Sequence, residues 1–89
     1  MLLATIQNDL KTALKEKNEL QVSTLRLLLA ETHNRQIEKQ AELTEEDIVT
    51  VLRKEAKKRQ ESVEAYEKGG RQELADKEKG ELQFLSKYL

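Results

Sequence analysis

The sequence predicts an all-α fold, a compact four-helix array with short connections. Apolar residues recur with a period near 3.6 through long segments, as one face of each helix requires. The chain has no proline and only three glycines, so few residues interrupt a helix. A length of 89 residues suits one domain with a thin core. We therefore expect residues 1–89 to form a single helical domain.

The first two helices are expected from about Leu2 to Lys17 and from about Glu19 to Gln40. The second helix is apolar on two sides, which is typical of a helix that contacts two neighbours. We therefore predict that it is the central helix. Its main stripe contains Val22, Leu25, Leu28, Leu29 and Thr32, and its other side contains Leu27, Ala30 and Ile37.

The third helix has the clearest ends. Thr44 can cap the first free backbone N–H groups, and Asp47 three positions later completes a capping box. Gly69 and Gly70 end this helix, because glycine readily adopts the left-handed conformation that follows a helix. The fourth helix is expected from Arg71 to about Tyr88, followed by Leu89. Gly80 inside it disfavours the helix by roughly 1 kcal/mol relative to alanine, which close helix packing would explain.

Composition excludes several classes of site. The chain has no cysteine and one histidine, so thiolate and histidine-based metal sites are excluded. No nucleophile motif and no glycine-rich phosphate loop is present, so we predict no catalytic residues and no cofactor. The net charge is −1 although 37% of the residues are charged, a balance that favours a soluble cytoplasmic protein. The longest apolar run, Leu27 to Ala30, is too short for a membrane span.

Charged residues interrupt the apolar stripe of the third helix. At about 100° per residue, Glu55 and Arg59 fall inside the apolar arc, and their i, i+4 spacing suits an ion pair. A charge on an apolar face must be paired or reach water. We therefore predict an interhelical ionic seam made of Arg26, Glu55, Arg59, Glu78 and Glu81. Two alternatives stay open: the side chains reach solvent at the end of a thin bundle, or they bind a ligand.

The middle of the third helix is also rich in cations. Five of the seven residues from Arg53 to Arg59 are basic. Four of them share the outer face, where a helix can present cations to phosphates. The candidate nucleic-acid-binding residues are Arg53, Lys54, Lys57 and Lys58. The alternatives are a solvated face, since Glu61, Glu64 and Glu67 follow closely, or a surface for a protein partner.

Several segments, taken in order, resemble a known family. They are Leu20–Ala30, the Leu43–Ile48 cap, Arg53–Ser62, Gly70–Leu74, Glu78–Leu82 and Leu85–Leu89. No single segment is specific, but the ordered set resembles the YqeY family from Asp9 to the last residue. That family is related to the C-terminal region of GatB, a component of the tRNA-dependent amidotransferases.

The resemblance implies an all-α protein with an N-terminal helical array of this length and a three-helix C-terminal tail, which is absent here. It also implies an accessory module related to the amidotransferases, with a family label of carbon–nitrogen ligase with glutamine as amido-N-donor. The expected partners are tRNA or an amidotransferase-type complex, together with the chain's own missing tail. No membrane and no metal is expected. The alternative is a protein–protein interaction scaffold with no RNA or catalytic role, binding through Leu27, Ala30 and Ile37.

Overall fold

A computed structural model describes all residues, 1–89, and confirms the all-α fold. Four helices follow one another along the chain, with connections of two to five residues. The predicted ends agree with the observed ones to within two residues. The helices are α1 (Leu2–Glu16), α2 (Glu19–Lys39), α3 (Glu45–Lys68) and α4 (Gln72–Ser86).

The helices pack as two hairpins, α1 with α2 and α3 with α4, and the second pair has the more extensive contact. The predicted central position of α2 is confirmed, since α2 approaches α1, α3 and α4. Each helix contributes apolar side chains to one shared core, which is the main source of stability in a domain this small. The core residues are Ile6, Ala13, Leu25, Leu28, Ile48, Val51, Leu52, Phe84 and Leu85.

The structure explains why two positions are occupied by glycine. Gly80 lies where α4 packs against α2, and a Cβ atom there would be 3.1 Å from Leu20 Cδ1. Close packing therefore accounts for a glycine inside α4. Gly70 has a φ of +72° after the end of α3, in the left-handed region that favours glycine. The turn between α3 and α4 thus requires glycine at position 70, whereas Gly69 has a φ of −83°, which any residue can adopt.

The second apolar side of α2 is largely exposed. Leu27 is 50% exposed and Ile37 is 60% exposed, and Ala30 between them is exposed too. The scaffold alternative, which binds a partner through Leu27, Ala30 and Ile37, requires this exposure.

The start of α3 is held by a capping box and two cations. Thr44 Oγ1 accepts a hydrogen bond from the Asp47 N–H, and Asp47 Oδ2 accepts one from the Thr44 N–H. Asp47 also forms ion pairs with Lys39 and Arg35 of α2. The hydrogen bond from Lys39, followed by those from Thr44, holds the pKa of Asp47 at about 2, below its usual 3.8. This carboxylate therefore fixes the connection between α2 and α3.

Two long-range side-chain contacts attach α1 to the rest of the domain. Met1, at the N-cap of α1, has no side-chain cap. Instead, the Leu2 N–H donates to both carboxylate oxygens of Glu45, from the first turn of α3. At the other end of the chain, the Tyr88 hydroxyl donates a hydrogen bond to Asp9 of α1. Burial and the Asp9 carboxylate raise the pKa of Tyr88, so this hydroxyl stays protonated and able to donate.

Replacing Asp47 with Asn should reduce the stability of the domain at neutral pH. The folded-state pKa of Asp47 lies below its unfolded value, so its contribution is present above pH 3.8 and is lost as the pH falls towards about 2. The free energy of unfolding of the D47N variant should therefore converge with that of the original chain over this window. Urea unfolding at a series of pH values measures this. Glu46→Gln, in the same helical turn but without an ion-pair partner, is the control, and parallel pH curves for D47N and the original chain would contradict the assignment.

Candidate functional site

The structure places an ion pair inside the contact between α3 and α4. Arg59 Nη1 lies 2.9 Å from Glu55 Oε1, and the two side chains are only 6% and 3% exposed. Arg59 Nη1 also donates to the Glu55 carbonyl oxygen at 3.1 Å. The i, i+4 spacing on one helix produces this geometry. Neither residue reaches solvent, so the alternative of side chains extending into water does not apply to this pair.

Helix α4 contributes a second carboxylate to this guanidinium. Glu81 Oε2 lies 3.4 Å from Arg59 Nε, an ion-pair distance. The contact lacks hydrogen-bond alignment, and Arg59 Nε is buried with no hydrogen-bond partner. A buried donor without a partner disfavours the folded state. Arg59 and Glu81 therefore link α3 to α4 by charge attraction more than by a directed hydrogen bond.

Glu78 lies next to Glu81, three positions earlier on α4, and is half-buried. Burial raises the pKa of Glu78, and the neighbouring charge and hydrogen bond of Glu81 raise it further, against a smaller lowering by Arg59. Glu78 therefore favours its protonated form, because a second negative charge beside Glu81 in a partly desolvated site is unfavourable. Glu78 thus interacts with the cluster mainly through Glu81.

One predicted member of the seam lies elsewhere, and one actual member was missed. Arg26 is exposed on α2 and lines a groove against α1, so its assignment to the seam is wrong. Its position at the border of the apolar stripe allowed either location, and the structure places it beside the end of α1. Lys58 Nζ lies 3.2 Å from Glu55 Oε2 and shields the cluster from the solvent side. We define the buried ionic cluster as Glu55, Lys58, Arg59, Glu78 and Glu81.

The chemistry of this cluster is that of a structural ion network. Its carboxylates are directed at one guanidinium, one ammonium and each other, and the set contains no hydroxyl or thiol. Such a network fixes which faces of two helices meet. No group of three or more His, Asp or Glu side chains is arranged to hold a metal ion. None of the helices combines the length and apolar content needed to cross a membrane.

The predicted basic face lies on the outer surface of α3, where all four cations are exposed. Lys58 is partly engaged by Glu55, as described above. Arg53, Lys54 and Lys57 form none of the ion pairs of the structure, which involve other cations. From Arg53 to Lys58 the face spans about 8 Å of helix. The basic face is thus accessible but short.

A further surface feature was not predicted from the sequence. An open groove of about 810 Å³ lies between the end of α1 and the first half of α2. The only sequence signal for it was the second apolar side of α2, to which Leu27 and Ala30 belong. We call this surface the α1–α2 groove, and its lining residues are Leu14, Lys17, Glu19, Val22, Ser23, Arg26, Leu27 and Ala30.

Replacing Arg59 with Met should lower the free energy of unfolding by about 3 kcal/mol, because a buried carboxylate loses its main partner. Lys58, which remains beside Glu55, offsets part of the loss. Chemical denaturation at neutral pH measures the effect. The matched control is Lys58→Met, which removes the exposed cation beside Glu55 and should change stability by less than about 1 kcal/mol. Equal losses in the two variants would show that the buried guanidinium has no special role.

Replacing Glu78 with Gln should stabilise the domain at neutral pH. The folded-state pKa of Glu78 lies above its usual 4.5, so the folded state favours the protonated form and loses stability as the pH rises above that value. A neutral amide removes this loss and still donates to Glu81. We expect a higher melting temperature at pH 7 and a shrinking difference as the pH falls towards 4.5. Glu73→Gln, in the exposed first turn of α4, should give no such gain, and a destabilised E78Q variant would contradict the pKa assignment.

A protein family and several known proteins are similar to this chain over nearly its whole length. A family model described as "Yqey-like protein" matches residues 3–89. An uncharacterised protein of Schizosaccharomyces pombe is 32% identical over 88 residues, which cover 99% of this chain and 72% of the relative. The protein named "Altered inheritance of mitochondria protein 41, mitochondrial" is 33% identical in Clavispora lusitaniae and 31% identical in Lachancea thermotolerans. The matched segments cover 99% and 98% of this chain but 51% and 47% of these two relatives.

The names of these relatives overturn our expectation of a cytoplasmic protein. The relatives from Clavispora lusitaniae, Lachancea thermotolerans and Eremothecium gossypii are named as mitochondrial proteins. The expectation rested on balanced surface charge. Such a surface suits any aqueous compartment, so it cannot distinguish the cytoplasm from the mitochondrial interior.

The family match runs through all the segments on which the resemblance rested, from α1 to the end of the chain. The S. pombe relative exceeds 30% identity, and this chain covers most of its length. The names of these relatives mention neither a tRNA nor an amidotransferase, so those functions stay predictions. The chain belongs to the YqeY family.

Proposed function

We propose that this chain is an amidotransferase-related accessory module that contacts tRNA through the outer face of α3. The observation that carries the proposal is the set of exposed cations Arg53, Lys54 and Lys57, none of which forms an ion pair. Free cations in two neighbouring i, i+4 rows can each bind a phosphate without first breaking a contact within the protein. Lys58 adds a fourth, weaker contact, because Glu55 competes for its ammonium group.

The small size of the basic face limits how strongly and how specifically it can bind RNA. About 8 Å of helix reaches only a few phosphates, and the net charge of the chain is −1. Aromatic side chains for stacking on bases are few, so sequence-specific recognition is not expected from this face. We therefore assign it weak, salt-sensitive binding that adds to contacts made by other parts of a complex.

The link to amidotransferases comes from the relationship of the YqeY family to GatB. We place the carbon–nitrogen ligase chemistry, with glutamine as amide donor, in partner proteins, because the sequence has no nucleophile motif and no glycine-rich phosphate loop for it. The mitochondrial names of the relatives favour a mitochondrial setting for such a complex. The chain spans about half the length of these relatives, so their additional segments are further candidates for partner contacts.

A second candidate function is that of a protein–protein interaction scaffold without an RNA role. The specific observation is the bare apolar face of α2, where Leu27 and Ile37 are 50% and 60% exposed. Exposed apolar side chains grouped on one helix face are typical of a surface that binds a partner. The two functions use different helices and can be tested separately.

Replacing both Arg53 and Lys57 with Gln should weaken binding to total tRNA about tenfold at low salt. The slope of log affinity against log salt concentration should also become less steep by about 1.5. Each lost phosphate contact reduces the magnitude of this slope by roughly 0.7–0.9. Fluorescence titration across a salt series measures both quantities. The control is Lys11→Gln with Lys15→Gln, which removes the same charge from α1. Equal effects from the two double variants would refute the site, and absence of any salt-sensitive binding by the original chain would refute the function.

A further inference from the structure

The α1–α2 groove has the shape of a docking channel for a helix. Its lining runs along α2 from Glu19 to Ala30, about three turns or 16 Å. Small-molecule sites enclose most of their ligand, whereas this groove is open along its length. An elongated apolar groove on a helical surface fits a second helix laid into it, with contacts repeating at i, i+3 and i+4.

The charges at the edge of the groove indicate the chemistry of the occupant. Lys17 and Arg26 are exposed there, and neither forms an ion pair within the domain. Glu19 is the only acidic residue in the lining, so the edge carries an excess of positive charge. The groove thus combines an apolar floor with a cationic edge, and the floor consists of Leu14, Val22, Leu27 and Ala30.

A second copy of this chain is a poor match for the same surface. In a symmetric dimer the identical patch faces itself, so each cation meets the same set of charges on the other copy. Glu19 can satisfy either Lys17 or Arg26 of the other copy, and the remaining cation is left unmatched in a partly desolvated interface. A partner with carboxylates on both sides of an apolar stripe matches both cations.

We propose that the α1–α2 groove binds an amphipathic helix of another protein, with acidic residues flanking its apolar stripe. The apolar stripe rests on Leu14, Val22 and Leu27, and the flanking carboxylates pair with Lys17 and Arg26. Ile37 lies two turns beyond Ala30 on the same face of α2 and extends the contact to about 27 Å. The inference is independent of the tRNA contact on α3, and it gives the scaffold function a ligand of defined chemistry.

The test uses two synthetic helical peptides, each about five turns long, as probes. Both carry leucine at i, i+3, i+4 and i+7, and the flanking positions are glutamate in one and lysine in the other. Titration into isotope-labelled chain, followed by amide chemical shifts, should show a roughly fivefold preference for the glutamate peptide at low salt. Shifts should map to the end of α1 and the first half of α2. Leu27→Asp should abolish binding of both peptides, because it places a charge in the apolar floor.

Charge reversal makes the test specific. Arg26→Glu should reverse the preference in favour of the lysine peptide, whereas Arg71→Glu, the same substitution on the turn between α3 and α4, should leave it unchanged. Equal binding of both peptides, preference for the lysine peptide, or no binding by the original chain would overturn the proposal. So would self-association that Leu27→Asp disrupts, because a second copy would then be the occupant. Loss of tRNA binding in the α3 variants bears only on the function proposed for that helix.

Discussion

The guanidinium of Arg59 is the group around which α3 and α4 are arranged. A buried cation requires neighbouring carboxylates, and here they come from one turn earlier on α3 and from α4. This requirement restricts which face of α4 can meet α3, because a rotation of either helix would leave a charge unpaired in the interior. Apolar packing supplies most of the stabilisation, while the ion network determines how the two helices align.

The sequence predicted those features that depend on the period of one helix. The ends of all four helices, the capping box at Thr44 and the position of Glu55 and Arg59 inside an apolar arc follow from local spacing and were recognisable in advance. The pairing of Asp47 with Arg35 and Lys39 was not, because it depends on how α2 and α3 meet at their connection. Periodicity identifies a face of a helix but not the partner that covers it.

The errors in the candidate sites have the same physical origin. Arg26 borders one apolar stripe and is close to the other, so helical geometry alone allowed it to face α3 or solvent. Leu27 and Ile37 were recognised as a second apolar stripe, yet nothing in one sequence indicates whether such a stripe is buried within the chain or left for another molecule. The exposed stripe lies on α2, whereas the exposed cations lie on α3, so the two proposed contacts use separate surfaces.

The hydrogen bond between Tyr88 and Asp9 has a consequence for the order in which the domain forms. These residues are 79 positions apart, and the backbones of α1 and α4 do not approach each other. Each helical hairpin closes a short loop and forms quickly, whereas this contact requires most of the chain to be in place. We therefore expect the last turn of the chain to dock late on the folding pathway. Loss of this hydrogen bond should then accelerate unfolding far more than it slows folding.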